Sequence, residues 1–266
     1  MLSSFMLNAW IVATLVAGVA GVVGFFVVLR RASFAAHVLP LGAFPGAAAA
    51  SLLGFNELSG IVAFSGLGVL GISQLQRWER REVATALWLA VALALGTLFL
   101  SMTRQYAQGL YALLFGEVLG IGSGEIIPVA VLSAVAITVT LVLFRPLLLN
   151  SVSPELGEAA GAARGPMELA FLGVLALSTA MSLPVVGALM VFSLMVGPAS
   201  AARFLTDRPL KALALSVVLS LVIVWAAIAL SYLSNWPVGF FVGTSSALAY
   251  AAGRLRHHLG SSAPAH

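Results

Sequence analysis

Nine apolar runs, each about long enough to cross a hydrocarbon core, follow one another from one end of this chain to the other. They cover residues 8–29, 34–53, 58–75, 84–103, 126–147, 167–184, 186–204, 210–233 and 238–254. A helix needs about 20 predominantly apolar residues to cross a bilayer core roughly 30 Å thick. A chain built from such runs, one after another, can only be solvated by lipid. Composition agrees: of 266 residues, 61% are hydrophobic and 8% charged, with a mean hydropathy of +1.08. A soluble domain carries about 25% charged residues to cover its surface. The runs do not alternate polar and apolar at every second residue, which excludes a membrane β-barrel. The expected fold is therefore an all-α polytopic membrane protein of about nine transmembrane helices.

The charges orient these helices. With the N-terminus outside, Arg30, Arg31, Arg77, Arg80, Arg81, Arg145, Arg164, Arg203, Arg208, Lys211, Arg254 and Arg256 fall on the cytoplasmic side, leaving only Arg104 of the thirteen basic residues outside. The positive-inside rule favours this orientation, with the C-terminus in the cytoplasm. Adding or removing one span would split the clusters between the two sides. The pI of about 10.1 is thus a consequence of topology and gives no reason to expect nucleic acid as a partner. The N-terminal apolar run lacks a preceding basic stretch and is long enough to span, so it reads as the first span and not as a cleaved leader. With no cysteine, the chain has neither disulfides nor thiolate metal ligands. A single membrane domain over 1–255 is expected, followed by a disordered cytoplasmic tail at 256–266.

Three local features stand out. The piece "YALLFGEVLGIG" (111–122) is apolar but short and broken by glycines, so it reads as a re-entrant or interfacial helix. Small residues recur four apart at Ala17/Gly21, Ala20/Gly24 and Gly42/Gly46, a spacing suited to close helix packing in lipid. The longest cytoplasmic loop, 144–168, contains a helix start: Ser153 can cap, Pro154 suits the first helical position, and Glu155 and Glu158 lie near the positive end of the helix dipole. The helix, expected over about 154–163, continues through Leu156, Ala159, Ala160 and Gly161 with mostly small side chains. It lacks the bulky apolar face and basic polar face of a membrane-surface helix, and its small-residue surface fits a groove on another protein.

This segment, "LLNSVSPELGEAAGA", resembles the coupling segment of permease subunits from zinc/manganese-type ABC importers, which reads like S-x-D-P-E-x-A-x-A-x-G. Other pieces resemble the same family in the same order. "GVVGFFVVLRRASFAAHVLPLGAFPGAAAA" is similar to its opening, "YALLFGEVLGI" to its L-F-G-x-x-L-G element, and "VVGALMVFSLMVGPASAARFLTDR", with Gly197 and Pro198, to its V-G-x-L-L-V-x-A-L-L-V-x-P-A-A-x-A stretch. The resemblance covers roughly residues 8 to 255. It implies a permease in a bacterial cell membrane, a homodimer with the pathway at its interface, two cytoplasmic ATPase subunits docked on the coupling helix, and an extracellular binding protein that delivers a metal ion or metal chelate. The cargo would be a transported divalent ion and not a permanently bound cofactor. The chain has no G-x-x-x-x-G-K-S/T loop of its own, so ATP hydrolysis would belong to a partner.

The resemblance also implies a pathway along the second span, where the family reads like D-A-L-S-H-A-A-L-P-G and its Asp and His are expected to coordinate the ion. Aligned on Pro45 and Gly46, those two positions are His37 and Leu41, with Pro40 just before Leu41 and Gly42 just after it. The i, i+4 spacing puts them on one helix face, but here that face offers one imidazole and one isobutyl group. A lone imidazole holds zinc or manganese poorly. Two readings of His37 stay open: a pathway group, or a polar residue about two turns from Arg31 at the cytoplasmic end of a helix. Glu117, in "LFGEVLG", is the second candidate ligand, as an ionisable group at membrane depth, or else an outer-surface carboxylate. Met181, Met190 and Met195 read as packing residues. A permease for a non-metal or larger cofactor is the alternative reading. A membrane enzyme is disfavoured by the lack of any acid/base constellation in the spans. A gradient-driven secondary transporter would need intramembrane carboxylates as relays, and no span interior holds one.

Overall fold

The structure, a computed structural model, describes residues 4–75, 81–102 and 122–261. Among these, the secondary structure is entirely helical and forms eleven helices. They are α1 (Ser4–Leu29), α2 (Ser33–Leu53), α3 (Glu57–Leu75), α4 (Arg81–Ser101), α5 (Ser123–Val142), α6 (Phe144–Val152), α7 (Pro154–Ala159), α8 (Arg164–Val186), α9 (Ala188–Leu205), α10 (Pro209–Ser234) and α11 (Val238–Ser261). Seven of them, α1 to α5, α8 and α10, are long and apolar enough to cross a membrane. The predicted spans at 186–204 and 238–254 are present as α9 and α11, which are not among those seven; α9 has 18 residues, and α11 ends in the polar Arg254, Arg256, His257 and His258.

The bundle has an inside and an outside. The spans in α1 and α8 are each 72% buried within the protein, against 22% for the span in α5. The interior helix α1 lies along α10, α9 and α5, α2 lies along α3 and α4, and α9 lies along α11. In lipid, burial of apolar surface gives little drive for helix association, so close packing and hydrogen bonds between helices must supply it. Both are present at the small-residue positions. A Cβ on Gly21 would sit 2.5 Å from Val217 Cα of α10, and one on Gly24 would fall inside the Met195 carbonyl oxygen of α9. On α2, a Cβ on Gly46 would fall inside the Gly60 carbonyl oxygen of α3, and one on Gly42 would meet Trp88 Nε1 of α4 at 2.8 Å. Two polar contacts join α10 to α1: Ser216 Oγ donates to the Gly21 carbonyl at 2.8 Å, and Trp225 Nε1 donates to Thr14 Oγ1 at 3.0 Å.

Several boundaries differ from those expected. The fifth run does not continue as one helix to 147. It stops at Val142, and α6 starts anew at Phe144. Pro146 has no N–H to give the Val142 carbonyl, so the α-helical ladder breaks there. The helix expected over 154–163 is only six residues long, Pro154–Ala159. It is closed by Gly161 at φ +81, with Gly161 N–H donating to the Glu158 carbonyl at 3.0 Å and Ala162 N–H to the Gly157 carbonyl at 2.8 Å. This is a Schellman closure, and glycine is the residue that takes the left-handed position without strain. At the C-terminus, α11 runs on to Ser261, past the boundary at 255 where an irregular tail was expected. The expected re-entrant piece, apart from Gly122, lies outside the described residues, as does Glu117.

Candidate functional site

Two regions carry the chemistry that the sequence singled out. The first is the face of α2 that bears His37 and Leu41. Pro40, Gly42, Pro45 and Gly46 are all buried in this helix, and both prolines lie within it. The His37 ring stands edge-on to Phe192 of α9, with centroids 5.0 Å apart and planes at 70°. Its Nδ1 is buried without a hydrogen-bond partner among the described residues. One turn on, Leu41 packs on a cluster that includes Ala43 and Ala47 of α2, Ala180 and Leu183 of α8, and Ala188 of α9. The α2 face therefore meets α8 and α9 as one continuous surface. Gly197 and Pro198 lie farther along α9, where a Cβ on Gly197 would sit 2.7 Å from Ser246 Cβ of α11.

The proline positions change what this face can offer. Neither Pro40 nor Pro45 has an N–H, so the carbonyls of Ala36 and Leu41 lose their α-helical donors. Irregular backbone of this kind is tolerated in membranes where it is buried in protein or lines a cavity. The side chains alone make no ion cage: no group of three or more His, Asp or Glu residues capable of holding a metal occurs among the described residues. Glu57 and Glu125 stand in the first turns of α3 and α5, exposed or at the bundle surface, and do not join His37. The methionines pack. Met181 Sδ accepts a hydrogen bond from Ser133 Oγ at 3.2 Å, Met190 fills the space beside Gly239, and Met195 is fully buried.

The second region is the helical hairpin of α6 and α7. Ser153 caps α7 as its spacing predicts, its Oγ accepting the Leu156 N–H at 3.4 Å, with Pro154 at the first helical position. Gly157 is buried against α6, where a Cβ would lie 3.0 Å from Asn150 Cα. Asn150 Nδ2 donates to the Ala162 carbonyl at 3.1 Å and ties the hairpin's end back to α6. The outer side of α7 is left exposed, presenting Glu155, Leu156, Glu158, Ala159, Ala160 and Gly161.

The hairpin is anchored to the bundle by a contact that the sequence reading did not identify. Arg30, at the end of α1, forms an ion pair with Glu168 in the first turns of α8, Nη2 to Oε2 at 2.6 Å. The side chains are 6% and 18% exposed. Arg30 Nη1 also reaches Ser151 Oγ of α6 at 3.4 Å, and the guanidinium lies over the Phe171 ring. Removing one partner of a buried pair costs about 3–5 kcal/mol, because the other charge is left uncompensated. A signal was available in the sequence: a lone carboxylate at the head of an apolar run needs a partner.

The profile of the ABC 3 transport family matches residues 3–255. The manganese transport system membrane protein MntC of Listeria monocytogenes is 27% identical over 89% of this chain and 85% of its own. The manganese import system permease protein ScaB of Streptococcus parasanguinis is 25% identical over 92% of this chain and 88% of its own. The structure of PsaBC from Streptococcus pneumoniae in complex with Fab superposes with a TM-score of 0.85 at 22% identity, covering 94% of this chain and 91% of that one, so the two share a fold.

Proposed function

The chain belongs to the ABC 3 transport family, and from that premise we propose that it is the membrane-spanning permease subunit of an ATP-driven importer of a divalent metal ion. The observation that carries this reading is the extent of the match, which takes in the membrane helices and the α6–α7 hairpin together. Relatives that align over 89% and 92% of this chain are named for manganese, which makes manganese the first cargo to test, with zinc and iron as neighbours in ion class.

In this reading the permease works as a homodimer, and an extracellular binding protein delivers the ion. An ATPase subunit docks on the exposed side of α7. A docked ATPase would move the hairpin, and the Arg30–Glu168 pair and Asn150 would pass that movement to α1 and α8. The ion passes along the α2 face. His37 supplies one imidazole per subunit, the proline-freed carbonyls of Ala36 and Leu41 supply hard oxygen donors suited to manganese, and Glu117 is a further candidate. The thin ligand supply on this face favours one second reading, a metal chelate that brings its own ligands.

The membrane crossings are nine in this proposal. At 18 residues, α9 rises about 27 Å, enough to cross a thin core. If α9 and α11 did not cross, Arg203, Arg208 and Lys211 would fall on the opposite side from Arg30 and Arg164, against the positive-inside rule. Single cysteines at Glu57 and Ser234 are expected to react with an impermeant thiol reagent applied to intact cells, and those at Ala160 and Arg208 only after lysis. Labelling of Ala160 from outside would invert the orientation and remove the ATPase-docking role of α7. The transport reading itself is tested by ATP-driven manganese uptake into vesicles that contain the permease, its ATPase and its binding protein.

A further inference from the structure

A cleft of about 520 Å³ opens beside the hairpin, where α1 ends and α8 begins. Arg30, Arg31, Arg164 and Arg203 line it against a single carboxylate, Glu168. Arg30 forms part of its buried wall. The Arg30 side chain is only 6% exposed, and its Nε has no acceptor among the described residues. The other three arginines come from different directions: Arg31 stands at φ +53 just after α1, Arg164 is the first residue of α8, and Arg203 lies in the last turn of α9. Val28, Leu29 and Val152 add apolar wall, and Val152 is 71% exposed.

We propose that this cleft binds the phosphate of an anionic phospholipid from the cytoplasmic leaflet, with the lipid's acyl chains against the apolar wall. The proposal rests on the orientation given above. Arg30 already holds a carboxylate, so the donors left for a ligand are those of the exposed Arg31, Arg164 and Arg203, which suit an oxygen-rich group approached from several sides. A phosphodiester offers that, and arginine pairs with it bidentately. A basic pocket between membrane helices at their cytoplasmic ends is the geometry that holds lipid phosphate. The bound lipid joins the ends of α1 and α9 to the start of α8 and to α6, next to the hairpin on which an ATPase would act.

The test is native mass spectrometry of the full-length protein in detergent, titrated with phosphatidylglycerol or phosphatidylcholine. The wild type is expected to retain one phosphatidylglycerol in preference to phosphatidylcholine. The Arg164→Gln/Arg203→Gln variant changes two exposed side chains and is expected to weaken that first binding step about tenfold or more, as two charge-assisted hydrogen bonds are lost. Lys211→Gln, on the same side but outside the cleft, is expected to leave it unchanged. A parallel titration with inorganic phosphate separates the two sources of the group: the lipid is the ligand if millimolar phosphate fails to displace it, and displacement would mean that free phosphate is the ligand. The proposal is overturned if phosphatidylglycerol shows no preference, or if Lys211→Gln weakens it as much as the double variant does. It is also overturned if the double variant keeps its lipid and instead loses an ATPase subunit, which would assign the cleft to a protein carboxylate. Lipid binding without any ATPase association would leave this site standing and remove the importer reading.

Discussion

Replacing Gly24 by valine is expected to leave no monodisperse protein in detergent, whereas replacing Gly18, on the same helix, by alanine leaves the melting temperature unchanged or higher. The two glycines differ only in what faces them. A Cβ on Gly24 meets the Met195 backbone carbonyl, which has no rotamer to escape into, while nothing lies within 4 Å of a Cβ on Gly18. Overpacking a tight site costs about 1–3 kcal/mol when side chains can adjust. Here α1 would have to move away from α9, and the loss should exceed about 3 kcal/mol for that reason. Gly18→Ala instead gains up to about 1 kcal/mol of helix propensity. Fluorescence-detected gel filtration and thermal melts read both variants. A Gly24→Val protein that melts with the wild type would show that α1 and α9 do not meet as described.

Ala160→Trp is expected to abolish cargo-stimulated ATP turnover in the assembled complex while insertion and melting stay as in the wild type. Ala160 is exposed at the end of α7 and supports nothing inside the bundle, so a bulky ring there obstructs only what docks from outside. Glu155→Lys should act in the same direction, since it puts a positive charge at the positive end of the α7 dipole. Gly157→Val is the informative contrast. Its Cβ would press on Asn150 of α6, so it should disturb the hairpin itself and lower the melting temperature as well as turnover. Unchanged turnover in Ala160→Trp would remove α7 from the ATPase interface.

The membrane helices were legible because each is written in one continuous apolar run, and the cap of α7 because Ser153, Pro154 and Glu155 are adjacent in sequence. The break at Leu143 was not, since Phe144 and the leucines after Pro146 prolong the apolar run and a proline near a helix start reads much like one near its end. Contacts between distant parts of the chain were out of reach. Arg30 finds Glu168 across 138 positions, and the small-residue spacing on α1 forecast close packing without naming Met195 or Val217 as its object. His37 could be placed on a face with Leu41, but its neighbour Phe192 comes from another helix. The second candidate ligand, Glu117, lies outside the described residues.

ATP-driven uptake of radioactive manganese by vesicles holding the permease, its ATPase and its binding protein tests the metal-import function most directly. Uptake should require ATP and all three components. It should fall without vanishing in His37→Ala if, as proposed, the carbonyls of Ala36 and Leu41 also hold the ion, and it should rise in His37→Asp/Leu41→His, which places a carboxylate and an imidazole one turn apart on this face. ATP-dependent uptake of neither manganese nor zinc by the complete, ATP-hydrolysing complex would contradict a divalent-ion cargo.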